Sequence, residues 1–276
     1  MDSEASGLIG REYDGGIWEI HAEEVRAYAA ATDDLSGEKA VDTGAVPPMF
    51  HVRPMIGLMM QMAEDPELKI DLARLVHGEH SMSFPASMRV GSSLEMSGRL
   101  LNIEEKRSGT VYTFALWADS AGERVLDGTT TYFVRSASPA SKSGGKRPPP
   151  ESPPPPHWVK EQWVAEDQAV RYASASGDHN PIHTDEAFAK KAGLPGCILH
   201  GLCTLAFVAR DLIDRFGEGK GDRLRALSTR WARPVFPGST LTLEAWEESE
   251  GRLSFRTMGN DGKPVLTHGT AVLSWV

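Results

Sequence analysis

The sequence predicts an α+β protein in which one plan occurs twice: a central apolar helix followed by four antiparallel strands. Three observations predict it. Apolar residues recur at helical spacing from Leu202 to Phe216 and stop at Gly217. Strand-like runs separated by turn signals, among them Pro237-Gly238 and Asn260-Asp261-Gly262, follow that helix. The first half of the chain then matches the second, segment by segment.

The matches keep the same order in both halves. Tyr28-AAATDD lies over Tyr172-ASASGD, and PPMFHVRPMIGL (47–58) over GCILHGLCTLAF (196–207), which sets His51 over His200. SFPASMRVGSSLEMSG (83–98) lies over RWARPVFPGSTLTLEA (230–245), with Gly91 over Gly238, and DGTTTYFVR (127–135) over HGTAVLSWV (268–276). One short match would be chance; four in order indicate duplication.

In the first half, a helical and mixed opening leads to a helix over 55–62. Strands are expected near 79–90, 93–105, 109–119 and 124–135. The proline-rich stretch 138–157 has little that could pack and reads as a stiff connector. The second half runs through two short helices to the long helix, then to strands near 225–235, 239–248, 252–259 and 264–275. The expected organisation is therefore two domains, 1–137 and 158–276, joined by 138–157. A helix with apolar residues on every side is buried all round when a sheet curls about it.

Composition sets limits. The 276 residues carry a net charge of −9, which argues against non-specific nucleic-acid or anionic-membrane partners. No secretory leader opens the chain and no long apolar run spans a bilayer, so a cytoplasmic protein is expected. Cys197 and Cys203, near the start of the long helix, read as small buried thiols. No HExxH or CxxC spacing occurs, and no metal is expected.

The chemistry concentrates in YASASGDHNPIHTDEAFAKKAGLPGCILHGL (172–202). Asp178 and His183 flank Asn180-Pro181, and proline drives the residue before it out of the α region, so the chain turns sharply there. A carboxylate and an imidazole on such a turn can hold one water between them. Gly201 opens the long helix, where its N–H has no intrahelical acceptor and the helix dipole favours negative charge. Water activation beside an oxyanion site suits addition of water to a thioester-activated double bond, or its removal. Asn180 either fixes His183 or the water, or closes an Asx turn. His200 reads as a packing residue sooner than an acid. Arg230, Arg233, Lys220 and Arg223 are candidates for phosphate contacts. In the first half Asp34 falls over Asp178, but no Asn-Pro-x-His follows and Val52 replaces the glycine, so that half is expected to be inactive. The methionines of 55–62 suit either an adaptable acyl wall or an ordinary core. His77 and His80 read as structural.

SGDHNPIHTDEAFA, PGCILHGLCTLAF and RPVFPGSTL (233–241) together resemble the MaoC-like, (R)-specific enoyl-CoA hydratases, also called hydratase 2. The first half resembles a degenerate FAS1-like dehydratase domain. The resemblance implies a double hot dog fold and a 2-enoyl-CoA or (R)-3-hydroxyacyl-CoA substrate, with no separate cofactor. It also implies roles. Asp178 is the general base on the catalytic water, and His183 orients that water and passes a proton to the acyl α-carbon. Alternatives are a branched dicarboxylyl-CoA substrate of mesaconyl type, a hot-dog thioesterase, and a non-catalytic acyl-CoA-binding partner subunit. A pair of linked hot dogs can stand as a monomer or form a homodimer.

Overall fold

The structure, a computed structural model, describes residues 7–136 and 153–274. In the first unit, strand β1 (Glu12–Glu19) leads to helices α1 (Ala22–Ala31) and α2 (Leu35–Ala40). Central helix α3 (Val52–Ala63) follows, then β2 (Leu75–Ser83), β3 (Ser93–Lys106), β4 (Gly109–Ser120) and β5 (Glu123–Arg135). The second unit repeats the order. It contains β6 (Trp158–Val164), α4 (Gln168–Ser176), α5 (Glu186–Lys191) and central helix α6 (Gly201–Phe216), then β7 (Leu224–Trp231), β8 (Ser239–Ser249), β9 (Arg252–Met258) and β10 (Pro264–Leu273).

All ten strands form one sheet, in the order β1-β3-β4-β5-β2-β7-β10-β9-β8-β6. The units join where β2 pairs antiparallel with β7, Glu79 opposite Arg230 and Ser83 opposite Ala226. Each half of the sheet carries its own central helix, the double hot dog that the resemblance implied. Helix α6 is buried without a break from Leu202 to Ile213, as an all-round apolar helix must be. On α3, Met55, Met59 and Met62 sit in the core, while Met60 is exposed, so most of its methionines serve as ordinary packing. Gly91 and Gly238, aligned by the internal repeat, both have positive φ and turn the chain ahead of β3 and β8.

Three details differ from the sequence expectation. Each unit has five strands, because β1 and β6 add to the four expected. They are the two edges of the sheet, largely polar and exposed, and lack the alternation that marks a half-buried strand. Strand β2 begins at Leu75 and ends before Pro85, and β7 ends before Pro234, since proline cannot donate to the ladder. Of the two cysteines, Cys203 lies inside α6 but Cys197 lies outside it. The connector expected at 138–157 lies outside the described residues as far as 152. Its end is packed: the Pro154 carbonyl accepts from the Trp246 indole at 2.9 Å and His157 N–H donates to Ala245 O at 2.9 Å. Among the described residues, no helix is long and apolar enough to cross a membrane.

The seam between units is polar as well as apolar. The aligned tyrosines Tyr28 and Tyr172 meet there, hydroxyl to hydroxyl at 3.2 Å. The last carbonyls of α1 and those of the two residues after it lack intrahelical donors, and the second unit meets them. Gln168 donates to Ala31 O, Arg171 to Ala30 O, and buried Arg210 to Thr32 O and Asp33 O.

Candidate active site

Helix α4 ends at Gly177, whose φ of +79° turns the chain out of the helix. A side chain at 177 would also meet Nη1 of Arg53, at 2.6 Å from an ideal Cβ, so α3 of the first unit abuts the turn that carries Asp178 and His183. Asn180 is extended, as its proline requires, and Pro181–His183 forms a single 3-10 turn. The Asn180 side-chain carbonyl accepts from Ile182 N–H at 3.2 Å, so it closes the turn that carries His183. The Asp178 carboxylate likewise accepts from Asn180 N–H at 3.2 Å. The turn is thus shaped by its own side chains.

The segment before α6 completes the site. Ile198 N–H donates to Ile182 O and Leu199 N–H to Val235 O, which lays 198–199 between the Asp178–His183 turn and the loop after β7. The Ile198 carbonyl then faces His183, 2.8 Å from Nδ1. A carbonyl only accepts, so Nδ1 carries the proton and Nε2 of the neutral ring is left as an acceptor. Burial holds His183 below the usual histidine range, opposed by Asp178 and the Ile198 carbonyl. His200 donates from Nε2 to the Asp178 main-chain carbonyl at 3.0 Å and stacks on His183, with ring centroids 3.7 Å apart. Burial first, then His183, lowers its pKa to about 4. His200 therefore stands as a neutral brace between Asp178 and His183.

One donor atom each from Asp178, His183 and His200 lies within 4.8 Å of the others. Among the described residues this is the one group of His, Cys, Asp and Glu close enough to share an ion. Gly201 is the first residue of α6, directly after His200, so its N–H points out of the helix start beside this group.

The structure gives a packing reason for a glycine at 201. An ideal Cβ there would lie 2.6 Å from Nε1 and 2.9 Å from Cε2 of Trp231, the last residue of β7. The indole, not only an incoming thioester, excludes a side chain. Behind Trp231 stands His77 of the first unit, with ring centroids 4.3 Å apart, and His77 in turn bonds Thr130 Oγ1 at 2.5 Å. Nothing in the sequence marked His77 or Trp231 as residues of the site; β2–β7 pairing brings them together. His80 stacks on His51, farther into the first unit.

The remaining candidates lie elsewhere. Arg230 pairs across the seam with Glu79, Nε to Oε1 at 2.7 Å. Arg233 pairs with Asp261, and Lys220 and Arg223 both pair with Glu218. In the first unit, Asp34 accepts from Gly37 N–H at 2.7 Å as the N-cap of α2. Burial raises its pKa above the ordinary carboxylate value. His51 is buried with Nδ1 on the Pro48 carbonyl, and Val52 occupies the position of Gly201.

Fold and site define a double hot dog in which one unit carries an Asp–His pair at a helix start and the other carries none. Residues 150–268 match the MaoC-like domain family, and residues 7–128 match the FAS1-like dehydratase domain region. The chain is 34% identical over 199 residues to 3-hydroxyacyl-thioester dehydratase Y of Mycobacterium tuberculosis, covering 69% of this chain and 68% of that protein. It is 32% identical over 244 residues to the peroxisomal multifunctional enzyme type 2 of Drosophila melanogaster, covering 83% of this chain but only 40% of that longer protein. A MaoC-like dehydratase from Phytophthora capsici superposes with a TM-score of 0.83 at 23% identity, over 97% of this chain and 96% of that one. The chain belongs to the MaoC-like dehydratase family.

Proposed function

We propose that this chain is a hydro-lyase that adds water to a 2-enoyl thioester and removes it from the corresponding (R)-3-hydroxyacyl thioester. The observation that carries the reading is the convergence of the Asp178 carboxylate and the His183 imidazole, within 4.8 Å, at the helix start that presents Gly201 N–H. Family membership and the relative named as a 3-hydroxyacyl-thioester dehydratase support it.

With Nδ1–H held by Ile198 O, His183 offers Nε2 as an acceptor, and Asp178 offers a carboxylate oxygen. A water between them donates one hydrogen to each. Its oxygen bonds to the β-carbon of the enoyl group while one proton passes to the pair. The double-bond electrons shift towards the thioester, and the pair returns a proton to the α-carbon. His183 must take a proton before it can give one, so it acts as a shuttle beside the Asp178 charge. Each acid–base contribution is typically about 10²–10⁴-fold. Gly201 N–H meets the charge that develops on the thioester oxygen. The scheme moves only protons and one water, so it needs no cofactor, and the CoA thioester is the substrate. The first unit, with Asp34 spent on a cap, carries no second site.

The test is an absorbance assay following the enoyl thioester across short, long, branched dicarboxylyl and steroid side-chain CoA substrates. Turnover of at least one, abolished in Asp178→Asn and His183→Ala, is expected. Release of free CoA without hydration would point to a thioesterase and sink the proposal.

A further inference from the structure

We propose that the indole N–H of Trp231 is a second donor to the thioester carbonyl oxygen, acting beside Gly201 N–H. The inference rests on the hydratase reading above and names a substrate contact that reading did not include.

Four buried side-chain polar atoms lack a partner among the described residues: His80 Nδ1, His200 Nδ1, Trp231 Nε1 and Thr257 Oγ1. A buried group without a partner is costly and calls for an explanation. His200 Nε2–H is given to the Asp178 carbonyl, so its neutral Nδ1 is an acceptor and offers nothing to an oxyanion. His80 reaches His51 through Nε2, and its Nδ1 is an acceptor too, because the His51 proton sits on the Pro48 side. The indole N–H can only donate. It is the one orphan beside the catalytic group that suits a developing negative oxygen.

Its position fits. The ideal Cβ of Gly201 is 2.6 Å from Nε1. Bond lengths of about 1.5 Å then place Nε1 within about 4.1 Å of the Gly201 Cα and at most about 5.6 Å from its amide nitrogen. One oxygen accepting at about 2.9 Å from each donor spans donors up to about 5.8 Å apart. That separation is within the span one oxygen can bridge, so the distance is compatible with a single thioester oxygen accepting from both donors.

The ring is also held in advance, which a donor to a transition state requires. Trp231 ends β7 in register with Leu266 of β10, and its face rests on His77, which is anchored to Thr130. His77 meets the indole as a neutral ring, so the stack adds no charge that would compete for the N–H. The inactive first unit thus contributes to the chemistry by fixing a donor of the second.

The experiment removes the N–H and keeps the ring. Trp231→Phe is one variant; replacement of Trp231 by benzothienylalanine, which puts sulfur where the N–H was, keeps the full bicyclic shape if the phenylalanine variant folds poorly. The expected result is a fall in kcat of about 10²-fold, the scale for loss of one oxyanion donor, with KM little changed. The second readout is the infrared carbonyl stretch of enoyl-CoA bound to Asp178→Asn protein. It should shift less to low frequency when the N–H is absent. A kcat within about threefold of wild type for the benzothienyl protein, or an unchanged carbonyl frequency, overturns the proposal. If Asp178→Asn itself turns over normally, the acid–base assignment fails separately, and the carbonyl frequency read on a bound saturated acyl-CoA, which cannot be hydrated, still decides the role of Trp231.

Discussion

Gly201→Ala tests the packing of the helix start most directly. In an open helix, replacing glycine by alanine stabilises by up to about 1 kcal/mol. Here the new methyl would lie 2.6, 2.9 and 3.1 Å from three atoms of the Trp231 ring, all closer than van der Waals contact allows. The ring cannot swing away freely, because His77 backs it at 4.3 Å and the β7–β10 ladder holds its backbone. Overpacking of this kind costs about 1–3 kcal/mol, and about 2–4 °C in Tm per kcal/mol for a domain of this size. Activity should fall further than stability, since the shift displaces the helix start that presents the amide. The assay is a double-mutant cycle on Gly201→Ala and Trp231→Phe by thermal melting and kcat. Phenylalanine lacks the clashing atoms of the five-membered ring, so alanine should cost at least about 1 kcal/mol less in that background. Energies that add within about 0.5 kcal/mol, the behaviour of independent sites, would refute the contact as the reason for glycine. So would a rise in Tm for Gly201→Ala alone.

Further outcomes follow from the same contacts. Asp34→Ala should leave kcat unchanged and cost about 1 kcal/mol as a lost helix cap; a loss of turnover like that of Asp178→Asn would show that both halves share the chemistry. Arg210→Ala should lower stability by about 3–5 kcal/mol, because it strips a buried cation from Asp211 and from the carbonyls of Thr32 and Asp33; a variant melting within about 2 °C of wild type, about 0.5–1 kcal/mol, would contradict that role. Arg230→Ala should cost at most about 1 kcal/mol as an exposed pair with Glu79. If Arg230 also meets CoA phosphates, KM rises for the CoA substrate and not for a pantetheine thioester, and equal KM changes would exclude that contact. Burial lowers the pKa of His51 and His77 from 6.5 to about 4. The unfolded chain therefore binds protons as pH falls through about 6.5 while the folded chain does not, so stability is complete above that pH and declines towards pH 4. Each such histidine contributes about 1.4 kcal/mol per pH unit in that window; melting curves should show it, and His51→Leu should flatten it. An identical slope in the variant would contradict the buried neutral state.

The sequence by itself determined the repeated α+β plan, because helix periodicity, turn residues and the internal repeat are local signals that survive without tertiary contacts. It also marked the Asp178–His183 turn as the candidate site. Asp178, Asn180 and His183 lie within six residues, and a proline shapes the backbone between them, so their proximity is set by a short segment. Gly201 was legible as a helix start for the same reason. Strands β1 and β6 were not, since edge strands with wet faces carry no alternation. Only the tertiary structure decided that Asn180 serves the turn, that His200 braces both Asp178 and His183, and that Asp34 is a cap. It alone set His77 and Trp231 together, because 153 intervening positions are closed by β2–β7 pairing, whose register no local pattern announces. The glycine at 201 is the clearest case: its place could be read along the chain, but the ring that forbids a side chain there arrives from a different strand.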